Sequence, residues 1–151
     1  MAEPLDSDAQ PILNRVSFMM HRINAHMLRI CNPYFQDWGV DLVTSRMLVA
    51  LLERGPMSAG EIVRIMALPQ STISHQIKRL EKLGYLTRTA GSQDSRIVIA
   101  ELTDHGRDIA NQANALSRRV TDTLLQAIGD DEVETVRAAL KRVDQALEAM
   151  R

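Results

Sequence analysis

The residues with the most informative chemistry lie on one face of a predicted helix over residues 70–83. A helix turns by about 100° per residue, which places polar and basic side chains on its outward face: Ser71, His75, Lys78 and Lys82. Thr72, Ser74 and Arg79 flank this face. Short hydroxyl side chains let a helix enter the DNA major groove, where hydroxyls, imidazoles and cations reach base edges. This face predicts nucleic-acid binding, and the competing interpretation is a solvated amphipathic helix.

A second, shorter helix is predicted to position this one. Ser58 and Glu61 have the spacing of a capping box, directly after Gly55 and Pro56 end a preceding helix. We expect a helix over about residues 58–66 with three inward-facing residues: Ile62, Ile65 and Met66. A tight turn then leads to Pro69 at the start of the polar helix. The inward face of that helix carries Ile73, Ile77 and Leu80, and Gly84 ends it.

A β-hairpin is predicted to follow the two helices. Residues 85–89 and 96–100 are short runs of strand-forming residues, joined by the turn-forming residues 90–95. Arg96 lies where the turn meets the returning strand, so its guanidinium is placed to enter a minor groove, whose negative potential attracts arginine. Asp94 would orient Arg96. The alternative is a surface ion pair worth well under about 1 kcal/mol.

These motifs together resemble the MarR (multiple antibiotic resistance regulator) family of winged helix-turn-helix transcription factors. Three stretches carry the resemblance: Asp94-x-Arg96 with Leu102-Thr103-x-x-Gly106, Ser71-Thr72-Ile73-Ser74, and Arg79-Leu80-Glu81-Lys82-Leu83-Gly84-Tyr85-Leu86. Residues 42–61 also fit the two preceding helices of the family, so the resemblance extends over residues 8–150. His75 and Pro69 depart from the residues common in the family, and these departures concern the operator sequence more than DNA binding itself.

The resemblance implies a mainly α fold with a small β-wing in one domain, residues 1–151. It implies dimerisation helices at about residues 8–32 and 103–151, and a DNA-binding lobe at about residues 42–102. The expected partners are double-stranded DNA, as a palindromic operator, and a second copy of the chain. At 151 residues the length suits one domain with a substantial core.

Two helices in the C-terminal third carry apolar stripes. One begins near Asp130 and the other is capped by Thr103; their stripes are Val133, Val136, Leu140, Val143, Leu147 and Met150, and Ile109, Ala113, Leu116, Val120, Leu124 and Ile128. Such stripes need a partner surface. Packing within the chain would supply one, whereas the family resemblance implies that a second subunit does.

The first helix, predicted from about Ser7 to Ile30, is the candidate sensor. Its apolar stripe is Ile12, Val16, Met19, Met20, Ile23, Met27 and Ile30. Arg15, Arg22 and His26 border this stripe beside Met19, which suits a small aromatic acid or its thioester, because the ring meets sulfur and the carboxylate meets cations. His21 is expected on the far side of this helix, and it contributes only if the ligand-binding cleft wraps around the helix or reaches the partner subunit. Solvated arginines and an edge histidine are the alternative.

Cys31 supports a different sensing hypothesis. A single cysteine excludes an internal disulfide framework and fits a reducing compartment. Some relatives in the family sense peroxides through a thiol near the end of the first helix, and Arg29 would favour a thiolate here. The alternative is a small buried apolar residue.

Other functional classes lack residues to support them. His21 and His26 are about 140° apart on a helix, so they cannot share a metal ion. We find no catalytic constellation or glycine-rich phosphate loop, and expect neither enzyme activity nor a cofactor. Residues 61–107 carry seven Lys and Arg against five Asp and Glu, a small local basic excess in a chain of net charge −1. The N-terminus is acidic without a long apolar run, which predicts a cytoplasmic protein without a membrane anchor.

The sequence therefore predicts a dimeric, sequence-specific DNA-binding regulator, a repressor released by a small anionic aromatic ligand. Two alternatives stay open: a redox-sensing regulator acting through Cys31, and a winged-helix module that binds protein.

Overall fold

The computed structural model describes residues 10–151, which form six α-helices and a three-stranded antiparallel sheet. In chain order the elements are α1 (Val16–Phe35), α2 (Leu42–Arg54), β1 (Met57–Ser58), α3 (Ala59–Met66), α4 (Gln70–Lys82), β2 (Leu86–Ala90), β3 (Val98–Leu102), α5 (Asp104–Ile128) and α6 (Val133–Glu148). Short 3-10 turns lie at Ile12–Asn14 and Gln36–Trp38. The predicted mainly α fold with a small wing is confirmed. The chain divides into two compact units between Ala113 and Asn114, within α5.

The capping box at the start of α3 is confirmed. The Glu61 amide donates to the Ser58 hydroxyl over 3.2 Å, and the Glu61 carboxylate accepts from the Ser58 amide over 2.7 Å. The hydrogen bond from the Ser58 amide lowers the pKa of the Glu61 carboxyl. Two of the N–H groups that a helix start leaves free are thereby satisfied, which fixes where α3 begins relative to β1.

The packing of α3 and α4 follows the predicted faces with one exception. Ile73, Ile77 and Leu80 of α4 are all buried, as is Ile62 of α3. Ile65 was expected to face inward, but 43% of its surface is exposed. The short helix buries a narrow strip next to Ile62, and Ile65 lies about 60° to one side of that strip.

The sheet has the order β1-β3-β2, with β3 in the centre. The predicted hairpin is present, but both strands lie one or two residues later than expected, and Leu86 pairs with Leu102. Tyr85 is buried and ends the bend after α4 instead of starting the strand. β1 was not predicted, because a strand of two residues has no periodicity and its partners, Ile99 and Ala100, are distant in sequence.

The first helix differs from its predicted bounds at both ends. The predicted start at Ser7 lies outside the described residues. Within them, Pro11 has extended ψ, a 3-10 turn follows, and Arg15 is the extended N-cap of α1. The helix continues past Ile30 and includes Pro33, because Cys31 and Phe35 on its last turns are buried and hold those turns in place.

The apolar stripes are largely exposed in the single chain. On α1 the exposed members are Ile12, Val16, Met19, Met20, Ile23 and Ile30. On α6, Leu140 and Leu147 are 51% and 57% exposed. In α5, Ile109, Ala113 and Leu116 are buried, whereas Leu124 further along is exposed.

Thr103 caps α5 as predicted, accepting from the Gly106 amide over 2.9 Å.

Among residues 10–151, none of the helices combines the length and apolar character needed to cross a membrane.

Candidate nucleic-acid interface

The outward face of α4 has the composition and exposure that the sequence predicted. The Ser71, His75, Lys78 and Lys82 side chains are exposed, while Thr72, Ser74 and Arg79 are half-buried at its edges. The opposite side of the helix is held in the core by Ile73 and Ile77, so the polar face is fixed in orientation. It combines short hydrogen-bonding groups near the helix start with ammonium groups further along.

An open groove of about 440 Å³ separates α4 from the wing. Its walls bring together residues from the start of α3, from α4 and from the wing: Ser58 and Gly60; Gln70, Ser74 and Lys78; and Arg88, Arg96 and Ile97. Lys78, Arg88 and Arg96 give this groove three cations. Such a groove suits an anionic backbone lying between the helix and the wing.

The Asp94–Arg96 pair forms as predicted at the tip of the wing. The Arg96 guanidinium donates to both Asp94 carboxylate oxygens over 3.1 and 3.2 Å, and the Arg96 amide donates to the same carboxylate. These hydrogen bonds lower the pKa of Asp94. The Arg96 side chain is still 88% exposed, so the pair orients the guanidinium without burying it. Arg96 lies in the turn, two residues before β3 begins.

Arg79 occupies a different environment from the other cations of α4. Its guanidinium donates to the Gly39 carbonyl and, over 3.4 Å, to the side-chain oxygen of Gln76. The sequence groups Arg79 with the other cations of the predicted DNA-binding face. The structure instead places its donors against the segment that connects α1 with α2.

Arg88 also lines the groove, although its sequence position does not predict this. Its guanidinium makes a bidentate contact with Glu81 over 2.9 and 3.0 Å, joining the end of α4 to β2. This contact lowers the pKa of Glu81 and raises that of Arg88. The two residues belong to different elements, so no helical or strand spacing relates them.

The predicted sensor residues of α1 are only partly brought together. His21, Arg22 and His26 line a shallow depression of about 250 Å³ with Phe18, Ala25 and Arg29. His21 therefore belongs with Arg22 and His26, contrary to its expected position on the far side. Arg15 and Met19 are not among the lining residues. Arg15 is the N-cap of α1 and so lies outside the regular helix that the sequence predicts there, and its side chain donates to the Gln10 carbonyl.

Cys31 lies in the core, with 2% of its surface exposed. Burial raises the pKa of its thiol, and the opposing charge effect comes from Arg46 and not from Arg29. Arg29 instead contacts the His26 ring nitrogen over 2.8 Å. This environment disfavours the thiolate that a redox switch requires.

Within residues 10–151, no group of three or more His, Cys, Asp or Glu side chains is placed to hold a metal ion.

Comparisons with known proteins relate this part of the chain to a known family. Residues 38–97, from the 3-10 turn before α2 to the wing, match the MarR family. The regulator PecS of Dickeya dadantii is 27% identical over 145 residues, which are 94% of this chain and 86% of that protein. The match supports a DNA-binding regulator over nearly the whole chain.

Solved structures show the same fold. The Staphylococcus aureus MepR–DNA complex superposes with a TM-score of 0.80 at 18% identity, covering 88% of this chain and 98% of MepR. Bordetella bronchiseptica BpsR, whose DNA binding is regulated by 6-hydroxynicotinic acid, has a TM-score of 0.79 at 20% identity, covering 89% of this chain and 96% of BpsR. With the polar face of α4, the cationic groove and the family match over residues 38–97, these likenesses lead to one conclusion: the chain is a winged helix-turn-helix, DNA-binding transcription regulator, similar to those of the MarR family.

Proposed function

We propose that this regulator binds duplex DNA by inserting α4 into the major groove while the wing reaches the adjacent minor groove. The observation that carries the proposal is the groove between α4 and the wing, where Lys78, Arg88 and Arg96 converge beside the polar face. In this arrangement Ser71, Thr72, Ser74 and His75 meet base edges. Lys78 meets phosphate, and Arg96, oriented by Asp94, enters the minor groove.

Substitutions on α4 test this assignment of roles. Lys78→Ala should weaken binding to all duplexes by about tenfold and reduce the salt dependence by about one phosphate contact. Ser71→Ala and His75→Ala should instead change which base pairs are preferred, because base contacts specify and phosphate contacts position. The measurement is selection from a random duplex pool followed by affinity titration.

Lys141→Ala provides the matched control, because it removes an exposed ammonium from α6 instead of α4. If Lys78→Ala, Ser71→Ala and His75→Ala all bind as the parent does, α4 does not contact DNA.

The wing makes a separate prediction. Arg96→Ala should weaken binding most on operators with A·T-rich flanks, where a narrow minor groove concentrates negative potential. Asp94→Ala should give a smaller loss of the same kind, because the Asp94 carboxylate only orients the guanidinium. Titration against operators that differ only in their flanks measures both effects. Equal losses on every flank would show that Arg96 does not read groove width.

We infer that the functional unit is a homodimer acting as a repressor on a palindromic operator. Exposed apolar stripes on α1 and on α6 favour a second copy as the partner, because isolated exposed stripes of this length are unfavourable in water. Two copies related by a twofold axis would present two α4 helices to half-sites about one helical turn apart. An operator that overlaps a promoter is then blocked until the protein is released.

We propose a small anionic aromatic compound as the releasing ligand. The α1 depression offers the Phe18 ring beside the cations Arg22 and Arg29 and the imidazoles of His21 and His26. This composition suits a ring with a carboxylate. BpsR has the same fold, and the regulation of its DNA binding by 6-hydroxynicotinic acid, an aromatic acid, supports this proposal.

The ligand proposal is tested by release of bound operator with a panel of benzoates, hydroxycinnamates, their thioesters and 6-hydroxynicotinate. Arg22→Ala should reduce the sensitivity to the active compound by at least about tenfold while leaving ligand-free DNA binding intact. Arg15→Ala removes the same charge from the N-cap, outside the depression, and should have little effect. Release by peroxide alone, lost in Cys31→Ser, would replace the ligand proposal with a thiol switch.

A further inference from the structure

The segment between α1 and α2, which we name the α1–α2 turn (residues 36–41), is tied to α4 by two side chains. Arg79 of α4 donates to the Gly39 carbonyl. Tyr85, at the bend after α4, donates its phenolic hydroxyl to the Trp38 carbonyl over 2.6 Å. Two adjacent carbonyls of this turn, those of Trp38 and Gly39, therefore accept hydrogen bonds from the C-terminal part of α4 and from the bend that follows it.

The α1–α2 turn is itself held firmly, so it can serve as an anchor. Gly39 adopts a left-handed conformation, with φ of 69°, and the next residue, Val40, is buried. The Val40 amide donates to the Phe35 carbonyl, and the Asp41 carboxylate caps α2 through the Thr44 amide. A side chain added at Gly39 would come within 3.4 Å of Leu83 at the end of α4. The turn therefore lies next to Leu83, the residue that follows α4.

The same contacts distinguish Arg79 from the cations that line the groove. Its guanidinium is half-buried and donates to two acceptors within the protein, whereas Lys78 beside it is exposed and lines the groove. Breaking these contacts to reach DNA would leave the Gly39 carbonyl without this donor. The base-reading residue Ser71 lies about 12 Å along the helix from Arg79. A change of tilt at the anchor is therefore amplified at the end of α4 that reads bases.

We propose that Arg79, together with the Tyr85 hydroxyl, positions α4 by anchoring it to the α1–α2 turn, and that Arg79 does not bind phosphate. This inference rests on the proposed docking of α4 on DNA. It assigns sequence discrimination in part to two residues that touch no base. The rigid anchor fixes the angle at which Ser71 and His75 enter the groove.

The decisive experiment compares Arg79→Met with Lys78→Met, which removes the neighbouring charge in the same way. Affinities for the selected operator and for a scrambled duplex are measured over a range of salt concentrations, after thermal unfolding has shown that each variant is folded. Lys78→Met should weaken both duplexes and reduce the log–log salt slope by about 0.9. Arg79→Met should weaken the operator by about tenfold or more, leave the scrambled duplex nearly unchanged, and keep the parental salt slope.

A second readout follows the turn directly. Trp38 is the single tryptophan of the chain, so its fluorescence reports on the α1–α2 turn. Arg79→Met and Tyr85→Phe should each shift the Trp38 emission without DNA, and Lys78→Met should not. The double variant should lose less operator affinity than the sum of the single losses, because both residues hold one turn.

The proposal is overturned if Arg79→Met lowers the salt slope as Lys78→Met does, or if operator affinity and Trp38 emission stay at parental values. If the parental protein itself shows no salt-dependent duplex binding, the proposed docking of α4 fails, which is a different result from the failure of the anchor.

Discussion

Leu140→Asp is expected to abolish dimerisation and operator binding together. Leu140 lies in the middle of the apolar stripe of α6 and is 51% exposed in the single chain. In a dimer seam, the new carboxylate would be removed from water without a partner, which costs several kcal/mol. A monomer reaches one half-site instead of two, so the operator affinity should fall by about 100-fold or more. Sedimentation analysis and operator titration of the same samples measure both effects.

Gln145→Asp is the matched control for this prediction. It introduces the same charge on an exposed position of α6, about 140° around the helix from Leu140. This variant should remain dimeric and bind the operator normally. A Leu140→Asp protein that is still a dimer with parental operator affinity would show that the dimer interface does not include Leu140.

Gly106→Ala is expected to destabilise the base of the wing. A Cβ at Gly106 would lie 1.7 Å from the Tyr85 carbonyl oxygen and 2.6 Å from its carbon, and both are backbone atoms. Thr103 holds the start of α5 close to the bend after α4. Its hydroxyl donates to the Gly84 carbonyl over 2.6 Å, and its amide donates to the Tyr85 carbonyl. The start of α5 must therefore move away from the bend after α4. We expect a loss of about 3 kcal/mol in the free energy of unfolding and a melting temperature lower by about 6–12 °C.

Gly60→Ala shows whether the effect is specific to this position. In α3 the added Cβ would meet only the Ser58 hydroxyl, at 3.9 Å, and its φ is not positive. Alanine there should be neutral or stabilising by about 0.5–1 kcal/mol. Thermal unfolding of both variants gives the comparison. Equal melting temperatures for Gly106→Ala and the parent would mean that α5 is not seated tightly against Tyr85.

The parts of the site that the sequence predicted are those fixed by local periodicity and local hydrogen bonds. The capping box of Ser58 and Glu61 spans one helical turn, and the polar face of α4 follows directly from the helix period. The Asp94–Arg96 pair lies within one turn of chain. In each case the interacting residues are close in sequence, so their spacing determines their geometry.

The parts that the sequence did not predict join residues from different elements. The Arg79 contact with Gly39 spans 40 positions, and the Arg88 contact with Glu81 links a helix to a strand. Both arginines look like ordinary surface cations until the fold places acceptors beside them. The start of α1 was misplaced for a related reason: the apolar spacing continues through Ile12, but Pro11 and the extended Arg15 interrupt the helix there.

The most direct test of DNA binding is its salt dependence, measured on duplexes with the unmodified protein. An operator is selected from a random duplex pool, and its affinity is titrated at several salt concentrations beside a scrambled duplex. We predict tight binding to the operator, weaker binding to the scrambled duplex, and a linear fall of log affinity with log salt at a slope of about −0.9 per phosphate contact. Failure to enrich any duplex, with no salt-dependent binding, would contradict the account and favour a winged-helix module that binds protein.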